Sequence, residues 1–257
     1  MRGGYFLLSC FILIFSTNIS AQDKSIVISD SLKMNSDELT VKMGSKWFGK
    51  IWKFSFGQYA VISGKLNWMR TNYKTDLLDT RTNNKSSEKF SFRLAETGKD
   101  TANVNALNAM ETKAVQEVEL LPHFFIGKNE LVYGKSIFSV FITLQTDTVE
   151  NWILLMSEFE NAGTENGFKA QGIFTNGSRK IFIVPAKSAG TVKPPALGYE
   201  LFENAQPIAA LQYFGGGMFG LNKNIIWLSH YLDGQTKLRV AAALTALLQL
   251  KSNAELF

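Results

Sequence analysis

Thirteen residues near the carboxyl end, Leu238–Leu250 with the sequence LRVAAALTALLQL, decide how this chain can fold. Alanine and leucine dominate the stretch, and both favour the α-helix. On a helical wheel the apolar residues surround nearly the whole circumference, and only Arg239, Thr245 and Gln249 interrupt them. A helix that is apolar on almost every side is buried on almost every side. The stretch covers only about 20 Å, too short for a membrane span, so we expect a helix over about residues 236–251 buried inside the protein.

Upstream of this helix, most of the chain has the pattern of short strands rich in β-branched and aromatic residues. Clear examples are Ser136–Gln145 (SIFSVFITLQ), Asn151–Phe159 (NWILLMSEF) and Lys180–Val184 (KIFIV). Glycine and asparagine turn signals separate such runs, which is typical of antiparallel sheets. We therefore predict a mainly β fold, an antiparallel barrel or sandwich that encloses the helix, in a single domain over residues 22–257.

Two local features carry sharper predictions. Asn176-Gly177 lies between two strand-like runs, and Asn-Gly accepts the positive φ angles of a two-residue type I′ hairpin turn. The segment Thr75–Ser87 is polar and poor in large apolar residues, so we expect a long exposed loop there.

The first 21 residues have the three parts of a secretory signal peptide. Arg2 supplies the positive charge, Tyr5–Phe15 (YFLLSCFILIF) the short apolar run, and Ala21 a small residue before the polar Gln22. We predict cleavage between Ala21 and Gln22. Leu7-Leu8-Ser9-Cys10 resembles a lipobox, but the apolar run continues past Cys10, so we interpret Cys10 as part of the leader.

Composition narrows the classes of site that the mature chain can hold. The full chain has 257 residues, one Cys, two His and a formal net charge of +5. Removal of residues 1–21 leaves 236 residues, no Cys and a charge of +4. A cysteine-free chain has no disulfide, thiolate zinc site or iron–sulfur cluster. The positive charges are spread along the chain rather than gathered into one block, and we expect no nucleic-acid partner.

The last sixty residues have an order of elements that resembles a known superfold. Strand-like runs at Gly198–Phe202, Pro207–Gln212 and Asn224–Ser229 are followed by Leu232-Asp233 and the alanine-rich helix. This order resembles the C-terminal part of the tubby-like superfold, which includes the Lurp-one-related and scramblase-like families. The resemblance implies a closed antiparallel barrel around one central hydrophobic helix. The cysteine-rich and calcium-binding segments of scramblase-like members are absent, and the phosphoinositide site of eukaryotic tubby proteins does not map onto residues here, so only the fold is carried over.

No residue pattern predicts a catalytic, cofactor or metal site. The sequence contains no G-x-S-x-G and no calcium-binding D-x-D-x-D-G loop, and its two histidines, His123 and His230, are 107 positions apart. Each histidine could act as a general base, although a histidine with a purely structural role is the commoner case. Two carboxylate pairs could support glycoside chemistry, but both have the context of solvated faces. These pairs are Asp76 with Asp79 and Glu158 with Glu160.

Two segments suggest contact with a surface. The glycine-rich Phe214–Gly220 lacks the Lys-Ser/Thr of a phosphate-binding loop, so we interpret it as a hairpin loop. In the amino-terminal half, basic residues alternate with aromatic ones, a pattern that serves glycans, nucleic acids or anionic membranes, or results from strands with aromatics inward and lysines outward. The residues are Lys42, Lys46, Lys50, Lys53, Lys65, Arg70 and Lys74, with Trp47, Phe48, Trp52, Trp68 and Tyr73.

We therefore expect an exported protein, periplasmic, outer-membrane-associated or extracellular, that acts as a non-catalytic binding or structural module of the cell envelope. Its partner is unknown, with a membrane surface and a protein as the candidates. One alternative is a carrier that holds an apolar ligand in a barrel cavity. A second is a hydrolase with dispersed carboxylates. The position of the helix relative to the strands discriminates between the binding module and the carrier.

Overall fold

A computed structural model describes residues 25–46, 50–67, 70–75, 81–115, 118–121, 124–126, 130–161, 169–189, 194–217 and 222–254. The predicted signal peptide, with Cys10 and the cleavage site between Ala21 and Gln22, lies outside the described residues, as do Asp76, Asp79 and His123.

The described residues form sixteen strands and two helices. The helices are α1 (Asp30–Met34) and α2 (Gly234–Ala254). The strands are β1 (Ser36–Thr40), β2 (Lys42–Met43), β3 (Phe54–Phe56), β4 (Tyr59–Leu66), β5 (Arg70–Thr75), β6 (Arg81–Glu96), β7 (Thr101–Val115), β8 (Val118–Leu121), β9 (Phe124–Ile126), β10 (Glu130–Leu144), β11 (Trp152–Asn161), β12 (Lys169–Thr175), β13 (Lys180–Lys187), β14 (Leu197–Glu203), β15 (Gln206–Phe214) and β16 (Ile225–Ser229).

One antiparallel sheet contains fourteen of these strands and nearly closes into a barrel. Its hydrogen-bonded order is β1-β16-β15-β14-β13-β12-β11-β10-β7-β6-β4-β3-β2, and β5 pairs with β6 outside this path. Only Val41 separates β1 from β2, and its N–H donates to the Asn224 carbonyl at 2.9 Å. The continuous stretch Ser36–Met43 therefore pairs with β16 through its first half and with β3 through its second, which joins the two edges of the sheet.

The interior of the barrel is occupied by helix α2, as the sequence predicts. From Val240 to Leu248 every helical side chain is fully buried. Inward-facing side chains of the strands, such as Val104, Val140 and Leu154, complete one continuous core with it. The helix begins two residues earlier than expected and ends three residues later. Its first turn is fixed by Asp233, whose carboxylate accepts the N–H of Thr236 at 2.9 Å.

Three long strands extend past the carboxyl end of the helix. Among the side chains that the structure describes, the buried positions of β6, β7 and β10 end at Phe90, Ala106 and Phe138, yet all three strands continue for several residues beyond them. The prediction of a loop over Thr75–Ser87 is wrong, because β5 ends at Thr75 and β6 begins at Arg81. That prediction relied on missing apolar periodicity, which a strand outside the core does not need.

Two hairpins show why turn signals were only partly informative. The hairpin at Asn176-Gly177 exists, but its loop has four residues between Thr175 and Lys180, so the two-residue type I′ prediction is wrong. The Asn176 Oδ1 atom accepts the N–H of Ser178 and of Arg179 at 3.1 and 2.7 Å, which favours the wider loop. A two-residue turn with positive φ at both positions joins β14 to β15 instead, at Asn204 and Ala205. Alanine rarely adopts this conformation, so the residue types did not predict this turn.

Directly before β1, Ser25–Asn35 lie across the outside of the barrel, and we call this segment the strap. Two strap amides donate to buried side chains, Ile26 to Gln212 Oε1 and Ser29 to Glu200 Oε1, each at 2.9 Å. Leu32 of α1 packs against outward-facing side chains of β15 and β16 in a second, smaller core. The members of this core are Ile26, Leu32, Ala196, Ala210, Ile225 and Trp227. The strap thus covers one part of the outer wall.

Candidate binding surface

The two ends of the barrel are closed by polar side chains of helix α2. At the amino end, the buried Arg239 guanidinium contacts Asp147 at 2.6 Å and Glu150 at 2.8 Å. The backbone N–H of Glu150 and the contact with Arg239 hold the pKa of Asp147 below its usual range. A shared arginine thus holds both carboxylates in one ion-pair cluster.

A second polar cluster closes the opposite end, which we call the mouth and define by Lys46, Trp52, Glu88, Gln249 and Asn253. The Gln249 amide forms two bonds with the backbone of Trp52, accepting its N–H at 3.2 Å and donating to its carbonyl at 2.6 Å. Lys46 donates to Asn253 Oδ1 at 2.8 Å, and its ammonium lies 5.4 Å from the centre of the Trp52 ring. Helix α2 therefore holds the connection between β2 and β3 in place.

The mouth contains two ionisable groups with shifted pKa values. Burial raises the pKa of Glu88, and the positive charge of Lys46 only partly offsets this effect. Burial likewise lowers the pKa of Lys46, with partial compensation by Glu88. Both groups are thus less easily ionised than in water, which is common at functional sites and also in structural clusters.

The outer wall carries an apolar surface that the strap does not cover. We call it the outer patch and define it as Phe141, Ile153, Leu155, Ile173 and Phe182. Phe141, Leu155 and Phe182 are 52%, 44% and 53% exposed. Strand register brings these residues together, because Leu155 pairs with Ile173, Ile173 with Phe182, and Phe141 with Ile153. The patch therefore runs across four neighbouring strands, β10 to β13, on one face of the sheet.

Lysines border the outer patch on two sides. From Leu155, cross-strand pairing leads through Ser139 and Leu107 to Lys89 on β6. From Phe141, cross-strand pairing leads through Asn105 and Ser91 to Lys65 on β4. In the opposite direction, cross-strand pairing leads from Phe141 to Lys180 on β13. All three lysines are exposed.

An open groove of about 430 Å³ separates the two lysines of β4 and β6 from Phe141. Its lining combines the cationic Lys65 and Lys89 with the amides of Asn67 and Asn105 and the apolar Leu107 and Phe141. The groove thus joins hydrogen-bond donors and positive charge on one side to an apolar surface on the other.

The structure places the residues singled out in the sequence in separate locations. His230 is half exposed and contacts Asp37 at 3.1 Å at the end of β16, far along the chain from any second histidine. Glu158 and Glu160 lie on β11, in register with Ser136 and Gly134 of β10. Of the predicted hairpin loop Phe214–Gly220, the structure describes 214–217, where the N–H of Gly215 donates to Asn222 Oδ1 and its carbonyl accepts the N–H of Lys223.

Of the alternating basic and aromatic residues, only some belong to the surfaces described above. Lys65 borders the outer patch, whereas Lys46 and Trp52 form part of the mouth; Trp47, Phe48 and Trp68 lie outside the described residues. Sequence reasoning missed the outer patch, because apolar residues on both faces of a strand read as a buried strand. The adjacent Ile153, Leu154 and Leu155 were the available signal.

Within the described ranges, there is neither a candidate metal cluster nor a candidate membrane-spanning helix. The part of the chain that the structure describes contains no group of three or more His, Cys, Asp or Glu side chains placed to hold a metal ion. Neither described helix has the combination of length and apolar character that crossing a membrane requires. No family model, curated protein or solved structure matches the chain.

Proposed function

We propose that this protein is an exported, non-catalytic module of the cell envelope that docks through the outer wall of its barrel onto an anionic membrane surface. The observation that carries the proposal is the exposed outer patch with lysines on both sides. Apolar side chains gain by entering the boundary between headgroups and acyl chains, and lysines are attracted to anionic headgroups.

Occupation of the barrel by α2 favours this role over that of a lipid carrier. A carrier needs an apolar cavity of roughly 300 Å³ or more to enclose its ligand. Here the fully buried side chains of Val240–Leu248 fill the interior in all directions. Binding at the outer wall requires no rearrangement of this core.

The chemistry of the outer patch favours lipid over a second polypeptide. A segment laid on a sheet face brings backbone N–H groups that need acceptors once water is removed. The half covered by the strap supplies such acceptors, the buried side chains of Glu200 and Gln212. The five side chains of the outer patch are all apolar, so the patch itself offers no comparable acceptor. Hydrocarbon needs none.

Export is the second part of the proposal, and it rests on the leader-like residues 1–21. Mass spectrometry of the exported protein tests it. We expect the mature chain to begin at Gln22, whereas a lipid-modified Cys10 at the amino terminus would contradict the assignment.

Sedimentation with vesicles tests docking directly. The mature chain should bind vesicles that contain phosphatidylglycerol much more tightly than vesicles of pure phosphatidylcholine, and added salt should weaken the binding. Each lysine near an anionic surface contributes about 1 kcal/mol, so the double variant Lys65→Glu/Lys89→Glu should bind at least about 30-fold more weakly. The double variant Leu155→Ser/Phe182→Ser should lose about tenfold or more, because two side chains no longer leave water.

A matched control separates this site from a general effect of charge. Lys33 and Lys42 are exposed and lie on the strap and on β2, away from the outer patch. The variant Lys33→Glu/Lys42→Glu has the same net charge as Lys65→Glu/Lys89→Glu but should bind like the unaltered chain. Equal losses in the two variants, or equal binding to neutral and anionic vesicles, would refute docking through this surface.

A further inference from the structure

The groove between the lysines and Phe141 has an arrangement of side chains that a general attraction to an anionic surface does not require. Two cross-strand rows lie side by side on the outward face of β4, β6, β7 and β10, the second of them reaching one residue past the end of β4. The first row contains Lys65, Ser91, Asn105 and Phe141, and the second contains Asn67, Lys89, Leu107 and Ser139. In both rows, the cation lies on the β4–β6 side and an apolar side chain lies on the β7–β10 side.

The two lysines of the groove are diagonal neighbours. Lys65 pairs with Ser91, which lies two positions along β6 from Lys89, so both lysines are on one face and their ammonium groups can reach the space between them. The described lining of the groove contains no carboxylate, and within the described ranges neither ammonium takes part in a hydrogen bond or an ion pair. Two like charges this close repel each other, and an anion bound between them removes that repulsion.

Two amide side chains add hydrogen-bond donors to this pair of cations. Asn67 is held next to Lys89, because its backbone N–H donates to the Lys89 carbonyl at 2.8 Å. Asn105 lies in the other row, on the strand beyond Ser91. Both amides are exposed, and each has two N–H groups to donate. Ammonium groups and neighbouring N–H donors suit the several acceptor oxygens of a phosphate ester.

The apolar side of the groove continues into the outer patch without a break. Phe141 belongs to both surfaces, and only Ser139 lies between Leu107 and Leu155. Neighbouring strands are about 4.8 Å apart, so the backbones of β6 and β10 are separated by about 10 Å. Free phosphate at the lysines would leave the apolar side in water. A molecule that links an anionic phosphate ester to hydrocarbon covers both sides.

We propose that the groove holds one anionic phospholipid molecule, with its phosphate between Lys65 and Lys89 and its acyl chains along Phe141 toward the outer patch. This inference rests on the proposed membrane docking and names the lipid that docking engages. Diffuse attraction to a charged surface requires only net charge, whereas this site requires a phosphate, a net negative charge and hydrocarbon in the same molecule. Phosphatidylcholine fails the second requirement, because the two lysines repel its cationic headgroup.

Titration with short-chain phospholipids, followed by NMR of the isotope-labelled mature chain, tests the site. Dihexanoyl phosphatidylglycerol, kept below the concentration at which it forms micelles, should saturate at one molecule per chain. Its largest effects should be on the amide resonances of Asn67, Ser91 and Asn105. Dihexanoyl phosphatidylcholine and inorganic phosphate should each bind at least about tenfold more weakly, because the first is zwitterionic and the second has no hydrocarbon.

Two neutral variants separate the site from a general effect of charge. Asn67→Ala/Asn105→Ala keeps both lysines and the whole outer patch, and it should bind soluble phosphatidylglycerol at least about fivefold more weakly because donors to the phosphate are lost. Asn103→Ala is the matched control. Asn103 is the preceding outward-facing residue of β7 and does not line the groove, so this variant should bind like the unaltered chain.

The proposal is overturned if soluble phosphatidylglycerol does not saturate at one molecule per chain, or if inorganic phosphate binds as tightly. Equal affinities of Asn67→Ala/Asn105→Ala and Asn103→Ala would overturn it as well. Vesicle sedimentation keeps these failures apart from a failure of docking. If Lys65→Glu/Lys89→Glu still loses vesicle binding, docking stands and only the single-lipid site is rejected. Equal binding to neutral and anionic vesicles rejects docking itself.

Discussion

The outer wall of this barrel has two halves with similar side chains and different surroundings. Over β15 and β16 the outward-facing Ala210, Ile225 and Trp227 are buried beneath the strap. Over β10–β13 the outward-facing Phe141, Leu155 and Phe182 remain about half exposed. A sheet packed on one face normally carries polar residues on the other, whereas these outward positions are apolar in both halves. An apolar outer face therefore indicates a cover, and in one half that cover is part of the same chain.

The covered half shows what is needed to hold a polypeptide on an outer wall. Glu200 and Gln212, both buried, accept strap amides, and Gln212 also donates to the Lys223 carbonyl at 2.7 Å. These bonds fix the strap in one register, while Leu32 supplies apolar contact. The outer patch offers apolar contact but no side-chain acceptor of its own, which is why we propose a lipid surface as its partner.

The inner face of the barrel provides a reference for the changes in stability expected at the two outer halves. The largest effect is expected for Leu244→Asp, because Leu244 is fully buried in the middle of α2. An unpaired carboxylate there must be desolvated or protonated, at a cost of several kcal/mol, which is comparable to the whole stability of a domain. Urea unfolding followed by circular dichroism should show no folded baseline at neutral pH. A soluble variant with unchanged stability would mean that the helix is not inside the barrel.

The sequence was sufficient for the inner face and insufficient for the outer one. In a chain of alternating strands, a helix that is apolar on all sides, such as Leu238–Leu250, can be buried only inside the β structure. The enclosed helix and the antiparallel β fold could therefore be predicted. The outer patch could not, because Ile153, Leu154 and Leu155 look the same whether the strand is covered or bare. The mouth could not be predicted either, because Lys46 and Glu88 are far apart in the sequence. The pairing of β6 with β4 and the position of the helix in the barrel bring them together.

A smaller and more discriminating test makes the same leucine-to-alanine change in the strap over the covered half and in the uncovered outer patch. Leu32→Ala removes a strap side chain that is 1% exposed against the wall, and Leu155→Ala removes one that is 44% exposed on the outer patch. Truncation of a buried leucine leaves a cavity, so Leu32→Ala should lower the free energy of unfolding by about 2–3 kcal/mol. Leu155→Ala leaves no cavity, and its change should stay within about 0.5 kcal/mol. Vesicle binding should respond in the opposite order, weakened by Leu155→Ala and unchanged by Leu32→Ala. Similar stability losses in the two variants would show that something in the protein itself already covers the outer patch, and the two halves would then be equivalent.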